Sequence, residues 1–309
     1  MGLFDIFGKK NIENAGEEGS VKLGVPNIPE EKRKMYEDQV HEFLVIVGGG
    51  SSGASRIGKG ADYSVSIPIL GYIDLTGGKR SNTRASLSYV VAEKDYDRNT
   101  VFGLFEKEKS YRIKGLAAKK VDEGPEYINN PYRLGGIYIL ELLEKDIKDE
   151  YLDNLLSEFN KPVIFISDVL GNLNLDKELG WLEGKSDWLG TDAEIHVNVE
   201  EDLSDAEDGI KNLEEFYKNR KEWDSKLRAY AAKELIDSAN DWINSDNFEE
   251  EEIVLTEEEF ADRIGIESVD VNADGSFTVM YDDDDIFAGH VVVVEGNMED
   301  GPDSAYIEG

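Results

Sequence analysis

The side chains of this chain that could do chemistry are few in kind. His41, His196 and His290 are the only histidines and there is no cysteine, so a metal site built mainly on histidine is not expected. Without thiols there can be no disulfides, thiolate metal sites or cysteine nucleophiles. Four adjacent aspartates, Asp282, Asp283, Asp284 and Asp285, precede Phe287 and His290. Like charges in a row repel one another, which favours an exposed loop. Hard cations take oxygen ligands, so weak calcium binding is one reading of the run. A solvated acidic edge is the commoner one. His290 beside these aspartates could serve as a general acid or base in a metal-assisted hydrolase. Its plainer role is a hydrogen-bonded structural histidine at a strand start.

Gly53-Ala-Ser-Arg56-Ile-Gly58-Lys59-Gly60 nearly fits a phosphate-cradling loop. That loop needs Ser or Thr after the lysine, and a helix whose N-terminal amides hold the phosphate. Gly60 replaces the hydroxyl and the following residues read as strand, which argues against a nucleoside triphosphatase. Arg56, Lys59 and Arg84 are still able to bind a small anion or nucleotide. Asp270-Val-Asn-Ala-Asp-Gly275 copies the first half of an EF-hand loop, but Tyr281 stands where a bidentate glutamate belongs. A tight hairpin at Asp274-Gly275 is the expected structure. No Gly-x-Ser-x-Gly elbow is present. No catalytic residue, cofactor or metal is therefore expected.

The charge is more informative than any motif. The chain of 309 residues carries a net charge of −34. Residues 1–170 contribute −4 and residues 171–309 contribute −30. After Leu235 the one basic side chain is Arg263, against 23 carboxylates. Such asymmetry implies two modules with different surfaces. A field of one sign repels nucleic acid and anionic membrane, and attracts basic proteins in a salt-dependent way. Simple solubility is the competing explanation.

Hydrophobic residues make up 40% of the chain, enough for sizeable cores, and no apolar run approaches a membrane span. Leu3, Phe4, Ile6 and Phe7 form an apolar stripe that could dock on a partner. It is too short for a secretory signal, so a cytoplasmic protein is expected. Residues 1–29 read as an N-terminal segment and linker. Residues 30–169 read as a mainly β domain, for which a small barrel is one form. Its strands are expected at Phe43–Val47, Tyr63–Leu70, Ala85–Ala92, Val101–Glu106, Tyr111–Leu116, Gly136–Leu143 and, fully buried, Pro162–Ser167. A helix is expected over Tyr151–Phe159.

Residues 170–309 read as an acidic α+β domain with an antiparallel sheet and packed helices, so the fold class is α+β. Strands are expected at Asn172–Asp176, Gly180–Glu183 and Ala193–Val199. Ser204-Asp-Ala-Glu207 and Thr256-Glu-Glu-Glu259 both have the spacing of a capping box. Between Ser204 and Ser245 apolar residues recur at three- and four-residue steps, as one long helix or two laid on a sheet. Three closing strands are expected, at Ile266–Val271, Phe277–Asp282 and His290–Glu295.

Several local patterns of this half resemble the bacterial family known as domain of unknown function 2262. They are Leu175-Asp-Lys-Glu-Leu-Gly-Trp-Leu-Glu-Gly184, Asp187-Trp-Leu-Gly190, the Ala231–Trp242 segment, Ile266-Glu-Ser268, Asp274-Gly-Ser-Phe277 and Phe287-Ala-Gly-His290, leading to Glu308-Gly309. The resemblance implies a bacterial, cytosolic α+β domain and assigns no catalytic residue. Ala288 departs from the family pattern, which usually has a bulky aromatic nearby.

The expected function is that of a non-enzymatic interaction protein. Its acidic module would bind a basic protein, for instance a toxin, through Asp282, Asp283, Asp284, Asp285, Phe287 and His290, as an immunity or inhibitor protein does. The alternative is a regulatory protein that binds a small anion or nucleotide through Arg56, Lys59 and Arg84. A metal-assisted hydrolase ranks third.

Overall fold

The computed structural model describes residues 21–23, 30–57, 62–119, 136–200, 202–244 and 253–309. The apolar N-terminal stripe, most of the linker and Lys59 lie outside these residues. The chain divides into two compact units between Lys161 and Pro162.

The first unit contains β1 (Val21–Lys22), α1 (Glu30–Arg33), β2 (Tyr36–Val47), β3 (Gly53–Arg56), β4 (Tyr63–Asp74), β5 (Lys79–Ser81), β6 (Ala85–Val91), α2 (Arg98–Gly103), β7 (Ser110–Ala118), β8 (Ile137–Lys145) and α3 (Glu150–Phe159). Five strands close a ring in the order β2–β4–β6–β8–β7, because β7 pairs with both β2 and β8. Only the β6–β8 contact in the ring is parallel. This order, with a helix between the third and fourth ring strands, is the Greek-key barrel of the OB-fold.

Alternation along each strand sends one set of side chains inward. Phe43, Val45, Val47, Val65, Ile67, Ile69, Leu87, Tyr89, Ile113 and Ile139 fill the barrel. Val101, Leu104 and Phe105 join the same core. The expected strand over Val101–Glu106 is therefore wrong: α2 covers its start. The Asp97 side chain accepts the Thr100 N–H at 2.9 Å and starts that helix. Outside the barrel, α3 lays Leu152, Leu155 and Leu156 on Ile46, Leu70 and Ile73.

The second unit contains β9 (Ile164–Ser167), β10 (Gly171–Asp176), β11 (Trp181–Trp188), β12 (Thr191–Asn198), α4 (Ala206–Lys218), α5 (Arg220–Asn244), α6 (Glu257–Arg263), β13 (Gly265–Val271), β14 (Ser276–Asp282), β15 (Val291–Asn297) and β16 (Gly301–Glu308). The sheet follows chain order from β9 to β16. Every neighbouring pair is antiparallel except β12 with β13, whose connection carries the three helices. Leu182, Ile195, Val197, Val269, Val279 and Val292 meet Leu213, Phe216, Leu227 and Ala231 in one core. Gly209 lets α4 lie close to the sheet, because a Cβ there would overlap Val197.

Three local expectations need correction. Ile164–Ser167 is an edge strand, with Ile166 81% exposed; it pairs only with β10 and belongs to the second unit. Ser204 does not cap α4: Asp205 is its N-cap, without a side-chain cap bond, and accepts the Glu200 N–H instead. Thr256 does form its capping box with Glu259. A fourth closing strand, β16, was not expected. Among the described residues no helix is long and apolar enough to cross a membrane.

Candidate functional site

The Asp282–Asp285 run joins β14 to β15, and its four carboxylates have different roles. Asp283 is 1% exposed. Its carboxylate accepts the N–H groups of Asp285 at 3.2 Å, Phe287 at 2.5 Å and Gly289 at 3.2 Å. It therefore organises the loop and does not face a partner. Asp284, Asp285, Ala288 and Gly289 all take positive φ, which only a tightly determined loop sustains in residues with a Cβ. Asp282, Asp284 and Asp285 are exposed, and Asp284 pairs with Arg263 at 2.6 Å.

Phe287, expected as an exposed anchor, is buried beside Phe260 and Trp242. The exposed aromatic is Trp242, 41% accessible, whose ring meets Phe287 at 5.7 Å and His290 at 5.4 Å. His290 donates from Nδ1 to the Phe287 carbonyl at 2.5 Å. That bond ties down the end of the loop, as a structural histidine would.

The loop continues an acidic sheet face. Strand register places Glu183, His196, Asp270, Thr278 and Glu295 in one row across β11–β15. Lys185, Glu194, Ser268 and Met280 form the next, which runs on to the buried Val293 and to Tyr306, and Asp282, Val291 and Glu308 form a third. All stand opposite the helix-facing core, because side chains alternate along a strand. Lys185 is the one lysine or arginine in these rows, and it pairs with Glu194 at 3.3 Å. Glu267, beside a bulge in β13, is drawn into the crowd. Burial first, then the carboxylates of Asp282, Glu194 and Asp283, push its carboxyl above the usual range.

His196 sits on this face beneath the Trp181 ring, with centroids 4.7 Å apart, and its Nδ1 lies 2.7 Å from Asp270. The Asp270 hydrogen bond raises the His196 pKa against the opposing effect of burial, and the charges of Asp270, Glu194 and Glu183 add to it. A raised folded-state value means that this contribution to stability is complete below the ordinary histidine value of about 6.5, and is lost as pH rises through the folded value. Asp270→Asn is therefore expected to destabilise the second unit more in mildly acidic than in alkaline buffer. Tryptophan-monitored unfolding at both pH values checks this; an equal loss at both would contradict it.

Of the candidate anion-binding residues, Arg56 and Arg84 are described, and they do not converge. Arg56 pairs with Glu93 at 2.9 Å and donates to the Tyr63 hydroxyl, and the Tyr63 ring stacks on Tyr96. Arg84 lies over the Phe159 ring. The β4–β6 register puts Tyr63 opposite Val91 and Ile69 opposite Ala85, so the two arginines stand near opposite ends of one ladder. Six residues of strand separate those ends by about 20 Å. An OB barrel commonly binds strands of nucleic acid on the outer face of its second and third ring strands. Here that face carries Ser64, Ser66, Pro68, Ser86, Ser88 and Val90. Ser86, Ser88 and Val90 are buried, and Ser88 hydrogen-bonds the Tyr36 hydroxyl. None of these is a cation or an aromatic platform of the kind that stacks bases.

The chain is thus a two-unit protein: an OB-type barrel, then an α+β unit with one acidic sheet face. Residues 167–307 match the family described as "Uncharacterized protein conserved in bacteria (DUF2262)". Residues 30–159 match "Domain of unknown function (DUF7021)". The C-terminal half therefore resembles the family to which its local patterns pointed. No curated protein and no solved structure matches the chain.

Proposed function

We propose that this is a non-enzymatic interaction protein whose acidic C-terminal unit binds a basic protein, in the manner of an immunity or inhibitor protein. The observation that carries the reading is the gathering of carboxylates at one end of one sheet face, where desolvation first, and then the charges of Asp282, Glu194 and Asp283, raise the pKa of Glu267. The exposed residues Asp282, Asp284 and Asp285 would steer a basic surface inward. Trp242 would supply the apolar contact, since hot spots favour aromatic side chains ringed by polar ones. Among the described residues, no group of three or more His, Asp or Glu is placed to hold a metal ion, so the metal-assisted hydrolase has no ligand set there. The separation of Arg56 from Arg84 weakens the anion-binding alternative.

Affinity capture on the full-length chain from its source cells, followed by reconstitution from purified components, tests the proposal. A basic protein should be retained at low salt and released as salt rises. Reconstituted binding that is indifferent to salt, or no basic protein at all, would contradict it.

A further inference from the structure

A second feature of the C-terminal unit has the chemistry of a cation site. A groove of about 630 Å³ runs between α4–α5 and the turns at 272–275 and 297–300. Trp223 lies within it, and Glu215, Glu222, Asp274 and Glu299 contribute to its lining. One face of the Trp223 ring stacks on Phe216, with centroids 4.6 Å apart and planes at 14°. Phe277 meets the same ring at 5.3 Å with planes at 64°, and the ammonium of Lys226 lies over it, 5.0 Å from the ring centre.

That placement has a clear alternative. Glu222 precedes Lys226 by four residues, the order and spacing that favour a helical ion pair. Among the described residues Lys226 nevertheless makes no ion pair and rests on the indole. Gly301 leaves room for it, because a side chain at 301 would collide with the ammonium. An ammonium over an indole is held by the negative face of the ring, and nearby carboxylates add to the attraction.

We infer that this groove receives a lysine or arginine side chain of the basic partner on Trp223, and that Lys226 is the chain's own occupant of the position until the partner displaces it. The inference rests on the basic-partner reading and adds a place and a chemistry to it. The groove flanks the start of β14, whereas the Asp282–Asp285 loop follows its end, so the two can be tested apart.

The probe is a short, unstructured, lysine-rich peptide with blocked ends, titrated into the full chain by calorimetry at low salt. Lys226→Met removes the internal ammonium and keeps an apolar stem. It should tighten peptide binding by about two- to fivefold, the scale of one exposed cation–π contact. Lys221→Met, an equal charge change at an exposed position on the same helix, should give a much smaller gain. Adding Trp223→Leu to Lys226→Met should abolish the gain, and unfolding monitored by circular dichroism confirms that the double variant is folded. Equal gains from Lys226→Met and Lys221→Met would overturn the site and leave the basic-partner reading standing. No peptide binding by any form of the chain would overturn both.

Discussion

Replacing Asp283 with alanine is expected to destabilise the C-terminal unit by about 3 kcal/mol or more, since hydrogen bonds to a charged acceptor are worth about 1.5–3 kcal/mol each and buried donors left unpaired cost more. Its carboxylate accepts three main-chain N–H groups within seven residues. These bonds span the stretch in which Asp284, Asp285 and Ala288 stand at positive φ, with Arg263 on Asp284 and His290 on the Phe287 carbonyl as further ties. Losing the carboxylate would release that backbone and expose Phe287, which is now wholly buried. Asp283→Asn keeps one acceptor oxygen and should cost less. All four tryptophans lie in the C-terminal unit, so tryptophan fluorescence in denaturant follows that unit by itself. A midpoint for Asp283→Ala equal to the wild-type value would show that the loop does not depend on this side chain.

The second large effect concerns association. Changing Asp282, Asp284 and Asp285 together to lysine moves the net charge from −34 to −28 and reverses the field at the acidic end of the sheet. The association rate with a basic partner should fall by about tenfold or more at low ionic strength, in line with the range of electrostatic steering. The gap should narrow towards physiological salt, where the Debye length is about 8 Å. Stopped-flow or surface-based kinetics across a salt series would measure it. Asp284→Lys also loses the Arg263 ion pair, so the melting temperature of the triple variant must be followed alongside. Unchanged association rates at every salt concentration would remove the loop from the interface.

The barrel strands were readable because Val, Ile, Tyr and Phe alternate with small or polar residues along them. Ring closure was not: it depends on β7 meeting β8 and on the parallel β6–β8 contact, between residues far apart in the chain. Val101–Glu106 has strand composition, but the Asp97 cap decides for helix. Ile164–Ser167 has the composition of a buried strand; how many neighbours a strand has is a matter of topology. β16 is not legible in the sequence because Pro302 and Asp303 look like loop, whereas proline is tolerated near the start of an edge strand. Ser204 and Thr256 share the capping-box spacing, and only the backbone around them makes one a cap and the other not.

Within the candidate site, the count of carboxylates was legible and the face they occupy was not. That face follows from the cross-strand register that aligns Glu183, Asp270 and Glu295. Phe287 is buried and Trp242 exposed for a related reason. Trp242 stands near the end of the apolar stripe of α5, where the stripe runs past the core and leaves its ring exposed. Phe287 follows an acidic run that suggested exposure, but the Asp283 hydrogen bonds fold the loop back and turn its ring inward.

The central claim is that position, and not only the amount of charge, makes the acidic unit a recognition surface. A matched comparison tests this most directly. One variant carries lysine at Asp282, Asp284 and Asp285, and the other at Glu207, Glu234 and Asp237, three exposed carboxylates on the helices. Both change the net charge equally. Affinity for the captured basic partner should fall steeply in the first and little in the second; equal losses would mean that the charge acts only in bulk, as solvation does.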